Sequence, residues 1–181
     1  CLATGVSGHA AREEGVNALY KALKDIEWFR TYKFEKKSET LGEVKMSVTM
    51  INCGSQHNVV PAECKFTVDI RVNEQYKNEE VLEIIKQQVS CEVKARSLRL
   101  QSSSISENHT LVKVAISLGM KTYGSPTSSD QAVIHWPSIK IGPGDSARSH
   151  TADEFIFLQE IRDGIEKYIK LLNGYAKKIE K

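Results

Sequence analysis

Apolar and polar residues alternate along two stretches of this chain and recur at helical spacing along four others. In the first alternation Val44, Met46, Val48 and Met50 share one face, with Lys45, Ser47 and Thr49 on the other. In the second, Cys64, Phe66, Val68 and Ile70 point inward and Lys65, Thr67, Asp69 and Arg71 outward. A period of two is that of a half-buried strand. The breaker-rich segment Asn52 to Pro61 joins them as a turn region. After Gly15, the residues Val16, Leu19, Tyr20, Leu23 and Ile26 form one apolar stripe and predict a helix to about Phe29. Val81, Leu82, Ile85 and Val89 predict a second, capped near Asn78 with Glu79 and Glu80 favouring its dipole. Cys1 to Gly5 reads as the end of a strand, and Glu92 to Gln101 as a last strand. The resulting β-α-β-β-α-β order predicts a ferredoxin-like sandwich, with two helices on one face of an antiparallel sheet. The opposite sheet face is expected to be polar and partly open.

The run Ser102-Ser103-Ser104-Ile105-Ser106 shifts the composition and predicts a domain crossing, dividing the chain into 1–103 and 104–181. Beyond it come a helix (Leu111, Val112, Ala115, Leu118), a Gly/Ser/Pro loop from Gly124 to Asp130, and a strand ending in Ile139-Lys140-Ile141. A long terminal helix then carries Phe155, Leu158, Ile161, Ile165, Tyr168, Ile169 and Leu172. Two helices and one strand are too few to close a core, so this part is expected to pack on polypeptide outside the chain.

Composition narrows the function classes. Of 181 residues, 40% are hydrophobic and 27% charged, as in ordinary globular proteins. Lys plus Arg number 25 against 23 Asp plus Glu, a net charge of +2. That balance, with no basic stripe interleaved by aromatics, argues against nucleic acid. The basic tail Lys177, Lys178 and Lys181 reads as a solvated helix end. No apolar run reaches membrane-spanning length. Four cysteines (Cys1, Cys53, Cys64, Cys91) without C-x-x-C spacing suit a reducing cytoplasm, and no disulfide is expected.

Candidate chemistry lies at the two ends. His9, in Ser7-Gly8-His9-Ala10-Ala11, stands where a strand opens into a loop and could donate to an oxyanion. His150 follows a loop of small residues and leads into Thr151-Ala152-Asp153-Glu154. Neutral imidazole is a common zinc ligand, but one histidine holds no zinc alone, and neither Asp145 nor Asp153 lies at a known ligand spacing. Arg71 can offer its guanidinium fork to a carboxylate, or pair with Asp69 or a glutamate. Asn58 precedes Val59-Val60-Pro61 and fits a turn as well as a binding role. Gly142-Pro143-Gly144 lacks phosphate-loop spacing; it makes a rigid bend with exposed amides, suited to an anionic group or simply to a turn. His57, His109 and His135 have no partner pattern and read as structural or solvated.

Taken in order, S-G-H-A-A-R-E-E-G-V-N-A, H-N-V-V-P-A-E-C-K-F-T-V-D-I-R-V, S-S-D-Q-A and I-G-P-G…S-H-T-A-D-E-F resemble the metallopeptidase family of aminoacylase, carboxypeptidase G and acetylornithine deacetylase. The first motif looks closest to the bacterial acetylornithine deacetylases and related N-acyl-ornithine or N-acyl-citrulline deacylases. The resemblance implies an α/β architecture in which 1–103 is a ferredoxin-like lid that forms a homodimer. Residues 104–181 would then be the C-terminal portion of a zinc-hydrolase catalytic domain. It implies that His150 is the last ligand of a two-zinc site (cobalt being an alternative) and that His9 stabilises the tetrahedral oxyanion in the partner subunit's site. Asn58 would lie near the scissile carbonyl, Arg71 would bind the substrate carboxylate, and Gly142, Pro143 and Gly144 would wall the pocket. Asp130 matches the motif beside that wall, with no role assigned. The implied substrate is an N-acyl amino acid such as N-acetylornithine, in arginine biosynthesis, with metal-activated water as nucleophile and a glutamate as general base.

Departures from the family pattern set the expectations for this chain alone. The family's H-x-D, bridging Asp and Glu-Glu pair precede the lid, and no H-x-D occurs here. Glu13-Glu14 follows the first motif and Glu79-Glu80 lies within a lid helix, so neither is that pair. The chain is therefore expected to lack the N-terminal catalytic half and to be inactive by itself. Rival readings are a related di- or aminopeptidase, a succinyl-diaminopimelate desuccinylase, or, from another class, a non-catalytic ferredoxin-like dimerisation or sensing module.

Overall fold

The computed structural model of the chain describes residues 1–125, 127, 129–134 and 136–179. His135, Lys181 and Ser128 of the S-S-D-Q-A motif lie outside the described residues. Two compact units emerge, one built on Cys1–Ser102 and the other on Ser103 and the residues beyond.

In the first unit a three-stranded antiparallel sheet has the order β1 (Leu2–Thr4), β5 (Glu63–Arg71), β3 (Lys45–Cys53). Two helices, α1 (Ala18–Thr31) and α2 (Asn78–Gln88), complete it. Cys64 and Phe66 of β5 are fully buried and Val68 and Ile70 half-buried, as the alternation predicts. The α/β fold class and the ferredoxin-like order are those expected from the sequence. A separate two-stranded ribbon pairs β2 (Gly8–His9) with β4 (Val59–Val60).

Several local expectations are corrected. On α1 the buried face is Ala18, Ala22, Asp25 and Phe29; of the predicted stripe Leu19 and Ile26 pack half-buried on the core, whereas Tyr20, Leu23 and, before the helix, Val16 are exposed. The alanines let the helix backbone approach the sheet, which the bulkier stripe would prevent. Asn17 caps this helix, its Oδ1 accepting from Leu19 N at 2.9 Å. Asp25 is 5% exposed, and its carboxylate accepts from Ser90 N and Oγ and from Cys91 N, tying α1 to the turn after α2. Burial, with Asp25 beside it, pushes the Cys91 thiol up to about 12.

A β-bulge between Val48 and Met50 shifts the pairing, so that Val48 faces Val68 but Met50 faces Thr67. The extra residue reverses the alternation. Met50 accordingly turns outward, 68% exposed, instead of continuing the inner row of Val44, Met46 and Val48. The last strand is reduced to one bridge, Leu2↔Glu92. Because that bridge is antiparallel, residue 94 and those after it have no opposite number on β1 within this chain. Those residues serve α2 instead. Asn78 is not its cap; Lys77 holds that position without a side-chain hydrogen bond. The Asn78 Nδ2 donates to Leu98 O and Leu100 O, and Gln101 Oε1 accepts from Asn78 N.

The second unit holds α3 (Thr110–Ser117) and α4 (Leu158–Ile179), packed through Val114, Ala115 and Leu171. Gly174 permits the contact, since a Cβ there would stand 2.8 Å from Val114 Cγ1. His109 caps α3, its Nδ1 accepting from Leu111 N, and its ring stacks on Tyr175. The expected strand at Ile139–Ile141 is absent: the described residues of this unit contain no strand, and with no neighbour to pair with, Ile139 and Ile141 pack instead on the α3–α4 cluster. Along α4, Ile161, Ile165, Tyr168, Ile169 and Leu172 are left exposed. No helix among the described residues is long and apolar enough to cross a membrane.

Candidate active-site elements

Glycine shapes the first motif. The chain doubles back between Val6 and Val16, which exchange two hydrogen bonds of 2.8 Å. Gly15 closes this loop at φ 85°, where its missing Cβ would lie 2.5 Å from Val6 O. Only glycine takes that conformation without strain. A Cβ on Gly8 would likewise meet Glu14 O at 2.6 Å. The loop thus presents His9 on the β2–β4 ribbon, paired with Val59, while Ala10 N donates to Asn58 O at 2.9 Å. Two sequence candidates forty-nine positions apart become neighbours through this register.

His9 is exposed, and its Nδ1 accepts from Ala11 N at 3.1 Å. A neutral imidazole using Nδ1 as acceptor carries its proton on Nε2. That N–H has no partner among the described residues, nor has the exposed Asn58 side chain. Arg71 lies at the other end of β5, opposite Lys45. Its Nε donates to Asp69 Oδ2 at 2.7 Å, and both Nη groups are left without partners among the described residues. The eight steps from Glu63 to Arg71 span about 26 Å. One protomer therefore does not bring Arg71 to the His9–Asn58 ribbon.

In the second unit Gly142, Pro143 and Gly144 line a pocket of about 160 Å³ against α4. Gly164 of that helix lies against the loop, since a Cβ there would stand 3.0 Å from Pro143 Cβ. Tyr168 Oη donates to Ile141 O at 2.6 Å and anchors the loop's start. Asp130 is exposed at the first residue of a short 3-10 turn, Asp130–Val133.

His150 occupies the left-handed region at φ 61°, and Asp153 does so at φ 58°. Such a conformation costs a non-glycine residue roughly 1 kcal/mol or more and persists only where surroundings impose it. Here His150 N donates to Glu154 Oε2 at 3.0 Å, and Thr151 Oγ1 donates to Arg148 O at 2.7 Å. Arg148 fixes the loop below, forming a charged hydrogen bond with Glu160 Oε1, while Glu160 Oε2 accepts from Phe157 N at the start of α4. The Arg148 guanidinium also lies 4.9 and 5.3 Å from the Phe155 and Phe157 ring centroids. The Arg148 hydrogen bond, with Phe157 N–H second, holds the Glu160 carboxyl below its ordinary range. Sequence reasoning missed this brace; the only available signal was an arginine and a glutamate flanking two phenylalanines.

The described residues contain no cluster of three or more metal-ligating side chains. His150 brings one exposed imidazole, and zinc takes three or four protein ligands, so this chain does not by itself fit a zinc ion.

Known proteins place the chain. The peptidase dimerisation domain of the M20 family matches residues 2–96. Succinyl-diaminopimelate desuccinylase 2 of Ruegeria sp. (strain TM1040) is 24% identical over 191 aligned positions, covering 95% of this chain and 48% of that protein. A [LysW]-lysine/[LysW]-ornithine hydrolase of Saccharolobus solfataricus is 27% identical, with 80% and 44% covered. Among solved structures, aminopeptidase PepT from Bacillus cereus shares the fold at a TM-score of 0.71 and 18% identity, covering 97% of this chain and 50% of that one. The chain spans about half the length of the relatives it matches. Ferredoxin-like order, the glycine-closed histidine loop and the match over more than half its residues have one meaning: the chain belongs to the M20 peptidase dimerisation-domain family.

Proposed function

We propose that the chain supplies the lid and part of the catalytic region of a zinc-dependent M20 hydrolase that cleaves the amide of an N-acyl amino acid. His9 would donate from Nε2 to the oxyanion that forms as the carbonyl is attacked. Asn58, beside it on the ribbon, would face the same carbonyl. The Nη pair of Arg71 would grip the substrate carboxylate, and the Gly142–Gly144 loop would wall the pocket. His150 would contribute one metal ligand, the others coming from polypeptide outside this chain. N-acetylornithine or a related N-acyl-ornithine or N-acyl-citrulline remains the proposed substrate class, and the relative named for lysine and ornithine supports a basic amino-acid product. The relative named for succinyl-diaminopimelate supports a succinyl amide as the second reading.

A homodimer through the lid is part of this proposal. The outer edge of β3 carries exposed Met50 and Ile51, and α1 carries exposed Tyr20 and Leu23. A second copy laid against that edge would let one lid serve two sites, which suits the separation of Arg71 from the His9 ribbon. Four free cysteines suit a reducing cytoplasm.

The observation that carries the reading is the exposed His9 ring, whose Nδ1 accepts from Ala11 N and so leaves Nε2 to donate. In the intact enzyme His9→Ala is expected to lower kcat on the order of 10²-fold or more, with zinc content unchanged. Turnover at the wild-type rate would end the assignment.

A further inference from the structure

Cys53 and Cys64 stand directly opposite each other where β3 meets β5. Phe66 exchanges hydrogen bonds with Cys1 in both directions, so even-numbered residues of β5 turn their backbone groups toward β1. Cys53↔Cys64 is therefore a non-hydrogen-bonded pair with β3, the type whose Cα atoms lie nearest, about 4.5 Å apart. That falls within the range a disulfide spans, at its short end. Directly opposite residues share a sheet face, so the two side chains lie on the same side, and Cys53 Sγ donates to Glu63 O at 3.3 Å. Their accessibility differs, Cys64 being fully buried and Cys53 partly open to solvent. Burial and the Cys53 neighbour push the Cys64 thiol up to about 11, which keeps it protonated and shields it from direct oxidation.

We propose that Cys53 and Cys64 form a reversible dithiol–disulfide site, oxidised by hydrogen peroxide, that cinches the neck of the segment carrying Asn58. The Cys53 thiolate attacks one peroxide oxygen, the O–O bond breaks, and hydroxide leaves, giving a sulfenic acid. The Cys64 sulfur then attacks the Cys53 sulfur, the S–O bond breaks, and water departs with the Cys64 proton. Both sulfurs are oxidised; one peroxide and two thiols yield one disulfide and two waters. The bridge closes the loop from Gly54 to Glu63, which holds β4, and β4 holds His9. A bridge with one sulfur, that of Cys53, partly open to solvent is accessible to reduction by a dithiol. The site lies wholly in the first unit and stands whether or not the hydrolase reading does.

The test uses this chain, treated with hydrogen peroxide under non-denaturing conditions. Intact mass should fall by two hydrogens, peptide mapping should join Cys53 to Cys64, and dithiothreitol should restore the mass. Cys91→Ser should behave as wild type, and Cys53→Ser should lose the bridge. Hydrogen exchange at Val59 and Val60 should slow on oxidation. Because a change at buried Cys64 can unfold the unit, Cys53→Ser, checked by circular dichroism, is the deciding variant. Sulfinic acid at Cys53 with Cys64 still a thiol, or a bridge through Cys1 or Cys91, would overturn the site. A bridge that leaves exchange at Val59 and Val60 unchanged would overturn the cinching.

Discussion

Asp25 shows how much one side chain can organise. Its carboxylate gathers two backbone N–H groups and a hydroxyl from Ser90 and Cys91, across sixty-five positions of sequence. Each buried donor left without a partner costs about 1–3 kcal/mol. Ser90 is exposed and Cys91 only half-buried, so Asp25→Ala is expected to destabilise the first unit by about 1–2 kcal/mol, read as a lower urea midpoint, with Asp25→Asn losing less. Equal midpoints for all three proteins would show that water replaces the carboxylate. At this scale the sequence was partly legible. His9, Asn58, Arg71 and His150 stand out by motif, but motif does not tell that the first two share a ribbon and that Arg71 does not join them. Nor does it reveal Asp25, which sits at a helical position any exposed acid could fill. Arg71 was open between a free fork and a pair with Asp69 or a glutamate, and the structure shows the Asp69 pair through Nε, with the Nη groups unpartnered among the described residues.

At the scale of elements, β5 and α2 follow from period alone, because their cores are formed by neighbours they meet directly, whereas for α1 the period gives the helix but not its buried face. The bulge at Val48/Met50 does not, since Thr49 is as good a strand residue as any and only the partner's register exposes the extra position. The last strand failed for the same reason: pairing is a property of two segments, and Leu98, Leu100 and Gln101 bind Asn78 at the start of α2 instead. The entrance to α4 depends on Glu160, whose carboxyl is held low by Arg148 and then by Phe157 N–H. A carboxyl lowered by folding stabilises above its unfolded value, near 4.3, and loses that contribution as pH falls through the lower folded value. Thermal midpoints of wild type and Glu160→Gln should therefore differ at neutral pH and converge in acid. A gap that stays constant down to acid pH would show that the Arg148 pair contributes nothing.

The molecule as a whole has two units of unequal completeness. Among the described residues, the first has a core cluster of eleven buried hydrophobic residues; the second has one of three, Val114, Ala115 and Leu171, and leaves one side of a twenty-two-residue helix bare. Such a face is a binding surface or an aggregation hazard. In this chain, replacing Ile165 and Ile169 together by lysine should reduce apolar-dye binding and self-association measured by sedimentation, with helix content retained. Undiminished dye binding would show that the exposed side of α4 is not what attracts apolar ligands. The bulged edge of the sheet has a consequence for assembly of the opposite kind. A straight edge can be copied strand after strand into a fibre, whereas a kink lets a newcomer follow only Lys45–Val48 or Met50–Cys53 before the two chains diverge. Were two copies to pair through this edge, twofold closure would bury that short run on both at once and leave none of it for a third.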